Sequence, residues 1–290
     1  FYERRVLRIF PPLYITLVIT CIAIAAGLFA DRVQPDAIIF DFLFLTNYAH
    51  LFGTENGVPI PLWSLAVEEQ FYLLFPLFFM IWLARRPGLH AALICLGLCG
   101  LVLGARFLTW IVEPDELWRN YYWTHTRIDS ILFGSCLALW QNPRVDRRAW
   151  KPAHWHFGLA LLAVGLTFVI RDPVFRETIR YTIQGCALFV IFSYVLSDRW
   201  PLMTTVLSSA PMRWIGLLSY TLYLCHYPIY LALEELLGVS HFVSGVIGLP
   251  VSLLYSFVMY KLVERPIAQW RKRMVGRTAG LEPGSAYRQR

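Results

Sequence analysis

The chain has 290 residues, of which 57% are hydrophobic and only 16% charged, and its mean hydropathy is +0.52. Soluble globular domains are about a quarter charged, because any core must be wrapped in a charged surface, so this composition excludes a soluble enzyme. The formal net charge of +7 implies no nucleic-acid partner, since the cations flank apolar runs and read as a membrane-topology signal with some affinity for anionic lipid.

In chain order, the apolar runs fall at residues 10–30, 63–84, 89–112, 128–140, 154–170, 178–196, 214–237 and 242–263. A helix of about 17–25 residues crosses a hydrocarbon core, and lipid offers the backbone no hydrogen-bond partners. The sequence therefore predicts an all-α, polytopic transmembrane helical bundle of about eight spans. A further apolar stretch, 37–52, carries Asp41, Asn47 and His50 and is expected to be re-entrant or interfacial. That placement collects Arg4, Arg5, Arg8, Arg85, Arg86, Arg144, Arg147, Arg148, Lys151, Arg199, Arg213 and the basic residues from Lys261 onward on one side. Positive charge resists translocation, so that side is expected to be cytoplasmic. Residues 1–275 are expected to form the transmembrane domain and 276–290 a flexible cytoplasmic tail containing Gly, Pro and Ser. The chain opens without Met inside a basic stretch, FYERRVLRIFPP, and reads as a piece lacking upstream sequence.

Six cysteines lie inside the apolar runs, which implies no disulfide framework. Cys95 and Cys99 share a helix face without a His or carboxylate beside them, so they read as packing or lipid-facing residues and no metal site is expected.

Four polar groupings sit at or within the runs, where polarity is costly and commonly functional. Arg4 and Arg8, four apart, share a face with Arg5 beside them. They are either a positive-inside anchor or a clamp for an anionic cytosolic ligand such as the phosphates of a coenzyme. In Pro61–Tyr72 (PLWSLAVEEQFY), Ser64, Glu68 and Tyr72 recur every four residues next to Trp63. Glu68 is either a carboxylate favoured by a helix start or, if buried, an acid/base or sugar-hydroxyl ligand of raised proton affinity. Arg127 and Asp129 lie two apart, so on a regular helix each should find a different neighbour, and Arg127 is expected to pair with Glu68. In Ser219–Pro228 (SYTLYLCHYP), Ser219, Tyr220 and Tyr223 run toward His226, which is either a packing residue or the lining of a cavity. Glu264 precedes Arg265 and Pro266 on the side of Arg4–Arg8.

Weaker candidates are His154 and His156, read as an interfacial belt around Trp155, and Gly100 with Gly104, read as a close helix-packing pair. No HExxH, phosphate-binding Gly loop or nucleophile elbow occurs.

At RRVLRIFPPLY, PLWSLAVEEQFYLLFPL, RIDSILFGSCLAL, LLSYTLYLCHYPI and LVERPI the chain resembles the acyltransferase 3 family of membrane acyltransferases, with the stretches in family order across residues 4–266. The resemblance implies transfer of an acyl group, usually acetyl, from cytosolic acyl-coenzyme A to a hydroxyl of an extracytoplasmic or lipid-linked glycan. It places the protein in a lipid bilayer, the bacterial cytoplasmic (inner) membrane, with acyl-coenzyme A as co-substrate rather than bound cofactor. Arg4, Arg5 and Arg8, with Glu264, are then expected to bind the acyl donor. Trp63, Ser64, Tyr72, Arg127, Asp129, Ser219, Tyr220 and Tyr223 are expected to contact the acceptor or line the cavity, and His226 and Glu68 to handle protons. The family usually carries two further helices upstream, the first with a histidine regarded as catalytic, so this stretch is expected to bind but not turn over by itself. A transporter or flippase, or a non-catalytic membrane scaffold, is the competing reading. Internal symmetry between halves would favour the transporter, and none is visible.

Overall fold

The computed structural model describes residues 1–54 and 57–279. Every regular element among them is helical. Four helical stretches are long and apolar enough to cross a membrane: Tyr2–Ala25, Leu62–Leu83, Gly88–Val112 and His241–Met274. A bent pair, Arg180–Leu196 with Pro201–Leu207 at 97°, adds a fifth if it is one span. The expected eight are not reached, and helix length gives the reason. Asp129–Leu139 has 11 residues and His154–Val169 has 16, about 17 and 24 Å at the helical rise, against a core of about 30 Å. Ala210–Leu237 is 28 residues long, but its Ser, Thr, Tyr and His stripe dilutes its apolarity. Residues 37–52 hold only short pieces, the longest a seven-residue 3-10 turn, Thr46–Phe52.

The described chain forms two compact units. The first comprises Phe1–Phe42, a short segment ending at Pro61, and the helices from Arg213 onward. Its long elements are α1 (Tyr2–Ala25), preceding the short α2 (Ile38–Phe42). In α1 the buried residues Ile9, Pro12, Leu13, Thr16, Leu17 and Thr20 form one face by three- and four-residue steps. Val18, Ile19 and Ile22 stay exposed on the other, as lipid rather than water would allow. Pro11 and Pro12 withhold two N–H groups from the α1 ladder. Beyond α1, Phe29 takes the left-handed conformation at φ 63°, and the Glu235 carboxylate accepts its N–H at 3.2 Å from both oxygens.

The second unit contains α3 (Leu62–Phe78), α4 (Gly88–Val112), α5 (Arg119–Tyr122), α6 (Thr124–Arg127), α7 (Asp129–Leu139), α8 (His154–Val169), α9 (Pro173–Glu177), α10 (Arg180–Leu196) and α11 (Pro201–Leu207). Phe71, Leu83, Ala91, Ala92, Cys95, Cys99, Leu132, Phe133 and Cys136 make its core, so the cysteines are packing residues. Small residues let helices approach here: a Cβ on Gly185 of α10 would come within 2.1 Å of the Phe133 ring of α7. Gly100 and Gly104 do not do this. They are exposed and an added Cβ would meet nothing within 4 Å, because the buried face of α4 is the one through Ala91, Cys95, Cys99, Val102 and Arg106. His156 is a cap: its Nδ1 accepts the Ala153 N–H at 3.1 Å ahead of α8.

In the first unit the chain ends with α12 (Ala210–Leu237), α13 (His241–Met259), a π-helical segment Tyr260–Glu264, and α14 (Arg265–Ala279). Pro228 does not break α12, which runs through it. Pro266 has no N–H for the carbonyl four residues back, and the π turn before it absorbs that loss. Helix α14 passes the expected domain boundary at 275, and the rest of the expected tail lies outside the described residues.

Candidate functional site

The residues singled out by sequence divide between the two units. In the first, α1 brings Arg4, Arg5 and Arg8 to its amino-terminal turns, with Arg4 and Arg8 exposed and Arg5 half-buried. Arg5 lies 5.6 Å over the Phe1 ring. The carboxylate of Glu264 accepts the Thr221 hydroxyl of α12 at 2.6 Å and feels the charge of Arg8. Tyr220 donates to the Ile9 carbonyl of α1 at 2.9 Å, so consecutive residues of α12 tie both α1 and the π segment. Arg4, Arg5 and Arg8 give the amino-terminal turns of α1 a cationic surface of the kind that suits phosphate oxygens.

Further along α12, Tyr223 donates to the Pro61 carbonyl at 2.7 Å, whereas Ser219 only bonds back to Gly216 of its own helix. His226 is exposed, and its Nδ1 lies 2.7 Å from the Tyr223 carbonyl and 3.1 Å from that of Leu222. Carbonyls can only accept, so these contacts call for a proton on Nδ1, which leaves Nε2 as the acceptor nitrogen of a neutral ring. That is the tautomer a proton acceptor needs.

In the second unit, Trp63 packs on Tyr121 and Tyr122 with ring centroids 4.6 and 5.5 Å away. Ser64 is half-buried and Tyr72 packs against the core. Glu68 is exposed, which corrects the buried carboxylate considered from sequence: α3 turns Leu62, Leu65, Ala66 and Phe71 inward and leaves Glu68 off that face. The expected Arg127–Glu68 pair does not form either. The Arg127 guanidinium stacks 3.9 Å over Tyr181 and lies within 6 Å of the rings of Trp63 and Tyr121. Asp129 is fully buried and pairs with equally buried Arg106 at 2.5 Å, whose Nη2 also reaches the Thr182 hydroxyl at 2.8 Å. Arg106 lies 5.3 Å from the same Tyr181 ring. Arg127 and Asp129 thus converge on one neighbourhood despite their two-residue spacing, because a turn at Ile128 separates α6 from α7.

Arg106 and Tyr181 were not among the site candidates. Arg106 was legible: it is the sole charge in the run 89–112, and an intramembrane Arg calls for a partner. Also missed was the network in which Asn47 donates to Thr124 at 2.8 Å and Thr124 to Gln70. Gln70 in turn donates to Asn47 and to the Phe44 carbonyl. No sequence period connects those residues, which come from three separate segments.

Over residues 1–261 the chain matches the acyltransferase 3 model, an acyltransferase domain, and it belongs to that family. It is 28% identical over 291 aligned positions to the peptidoglycan O-acetyltransferase OatA of Listeria monocytogenes, covering 92% of this chain and 46% of that protein. Similar values relate it to the putative peptidoglycan O-acetyltransferase YrhL of Bacillus subtilis, at 28% with 92% and 45% covered. The O-acetyltransferase OatA of Staphylococcus aureus is 29% identical, with 92% and 47% covered. The chain therefore spans about half the length of these curated relatives. No solved structure matches it.

Proposed function

We propose that the chain is the membrane domain of an O-acetyltransferase that moves acetyl from cytosolic acetyl-coenzyme A to a hydroxyl of an extracytoplasmic or lipid-linked glycan, of the peptidoglycan class. The observation that carries the reading is the match to the acyltransferase family over residues 1–261, with O-acetyltransferase relatives along 92% of the chain. In this reading the long apolar helices cross the bacterial cytoplasmic membrane, and the basic loops and α14 face the cytoplasm. Arg4, Arg5 and Arg8 hold the donor phosphates, with Glu264 setting the orientation of Arg8. Trp63, Ser64, Glu68, Tyr72, Arg127 and Asp129 serve the acceptor, and Ser219, Tyr220 and Tyr223 line the path toward His226.

The chemistry is a single acyl exchange. A base takes the acceptor hydroxyl proton as the oxygen bonds to the thioester carbonyl carbon. The C–S bond then breaks, and the departing coenzyme A thiolate is protonated. Of the residues described, His226 serves as the base, its Nδ1 held by backbone carbonyls; Glu68 is the acceptor-side carboxylate. Such a base commonly contributes about 10²–10⁴-fold.

The donor assignment is tested by acetyl-coenzyme A affinity of the purified full-length protein and its Arg8→Ala variant. Losing a charge-assisted phosphate contact should weaken binding about ten- to a hundredfold with little change in thermal stability. Unchanged affinity would remove Arg8 from the donor site.

A further inference from the structure

A groove of about 680 Å³ runs between α3 and α4 in the second unit. Along α3 its lining extends from Gln70 to Phe78, about 12 Å at the helical rise. After Gln70 that lining is wholly apolar, and α4 answers it with Leu98 and Leu101. The polar residues gather at the Gln70 end, where Thr124 donates to Gln70 and the Tyr48 hydroxyl accepts the Thr124 N–H. No Asp, Glu, Lys or Arg is among the lining residues. Leu73, Leu74 and Leu101, which also line it, are 64%, 59% and 71% exposed. The groove therefore opens onto the apolar surface that the membrane-crossing α3 and α4 turn to lipid.

The polar end offers one donor. Gln70 and Thr124 spend their groups on each other, on Asn47 and on the Phe44 carbonyl. Tyr48 accepts the Thr124 N–H at 3.2 Å, so its own proton is free for His125 Nδ1, also 3.2 Å away. That pairing leaves Nε2 as the donor nitrogen of a neutral ring, and no acceptor meets it among the described residues. The Tyr48 and Trp123 rings stacked beside the imidazole favour its neutral form. An apolar trough ending in one neutral N–H has a definite complement: a hydrocarbon chain that ends in an uncharged acceptor. An acyl ester has that form. A free fatty acid carboxylate does not, since it would bring a charge to a lining without a cation.

We propose that this groove holds one acyl chain of a bilayer glycerophospholipid, the ester carbonyl of that chain accepting the His125 Nε2–H and the charged headgroup staying outside. The chain enters from the bilayer through the open side, which continues the surface already set against lipid. The site uses none of the residues assigned above to donor or acceptor.

The test is photo-crosslinking of the full-length protein in phosphatidylcholine nanodiscs, with label positions mapped by mass spectrometry. Two phosphatidylcholine probes carry a diazirine in one chain, one joined to glycerol by an ester and the other by an ether, which lacks the carbonyl. Both should label Phe75, Phe78 and Leu98 more densely than Leu162 and Leu166, which stand on the open face of α8. At the groove the ester probe should exceed the ether probe about three- to tenfold, the size of one neutral hydrogen bond. On α8 the two should be equal. His125→Phe should abolish the ester preference, and Ala105→Phe, which fills the groove from α4, should lower labelling by both probes there. Groove labelling no denser than that of α8 would mean ordinary surrounding lipid only and overturns the site. Equal ester and ether labelling in the wild-type protein overturns the carbonyl contact whether or not the variants fold, and a preference that survives His125→Phe overturns the role of His125. A diazirine-bearing polyprenyl phosphate that displaces the ester probe overturns the choice of occupant.

Discussion

At the scale of single residues, the fully buried Arg106–Asp129 pair is the most consequential contact. Breaking a buried ion pair from one side leaves an uncompensated charge and costs about 3–5 kcal/mol, whereas replacing both partners with apolar residues is often neutral. Arg106→Leu should therefore destabilise the protein sharply in detergent unfolding, and Arg106→Leu with Asp129→Leu should recover most of the loss. Equal destabilisation by the single and double variants would show that the pair is not the source. His125 offers a pH-dependent counterpart. The rings of Tyr48 and Trp123 stacked beside it exclude part of its water and lower its proton affinity below the ordinary value of 6.5, and its Nδ1 contacts the Tyr48 hydroxyl at 3.2 Å. The folded state thus prefers neutral imidazole, so its contribution is complete above that ordinary value and is lost as pH falls below it. Thermal unfolding between pH 7.5 and 5 should consequently fall more steeply for the wild-type protein than for His125→Gln. Parallel pH profiles would contradict this.

Elements show where sequence reasoning reaches and where it stops. Positions of the long apolar helices were legible because lipid forces each to be continuous and apolar, and α4 matches the run 89–112 to within a residue at its start. Crossing number was less so, because hydropathy marks an apolar stretch but not the shorter helix that capping and breaks make of it, as in α7. The π turns before Leu83 and Glu264 leave no hydrophobic period to read. Side-chain partners were the least legible: Arg127 finds aromatic faces on α10 instead of Glu68 on α3, since long-range neighbours depend on how helices pack rather than on spacing along one. Packing itself gives a prediction at this scale. Gly185→Ala would drive a methyl into Phe133 and should cost about 1–3 kcal/mol by overpacking, read as a lowered unfolding temperature. Gly104→Ala, in open space, should not. Equal effects would mean that α7 and α10 approach less closely than they do here.

For the molecule as a whole, the composition, the exposed apolar faces and the family together define a bilayer-embedded acyltransferase domain. In the proposed function its site residues divide into a donor set on α1, α12 and the π segment, and an acceptor set on α3, α6, α7 and α10. The proposed topology has a direct check in cysteine labelling. Thr54→Cys should react from the same side as Glu116→Cys, and Arg85→Cys from the other. Reaction of Thr54→Cys from the cytoplasm would show that residues 37–52 cross. The central claim, transfer of acetyl from one side of the bilayer to a hydroxyl on the other, is tested most directly in sealed proteoliposomes of the full-length protein. Radiolabelled acetyl-coenzyme A is supplied on the side of Arg8 and a peptidoglycan-derived glycan is enclosed on the side of Trp63. The account predicts label esterified to the enclosed glycan, and loss of that label in Arg8→Ala; intact, donor-binding protein that leaves the glycan unlabelled would contradict it.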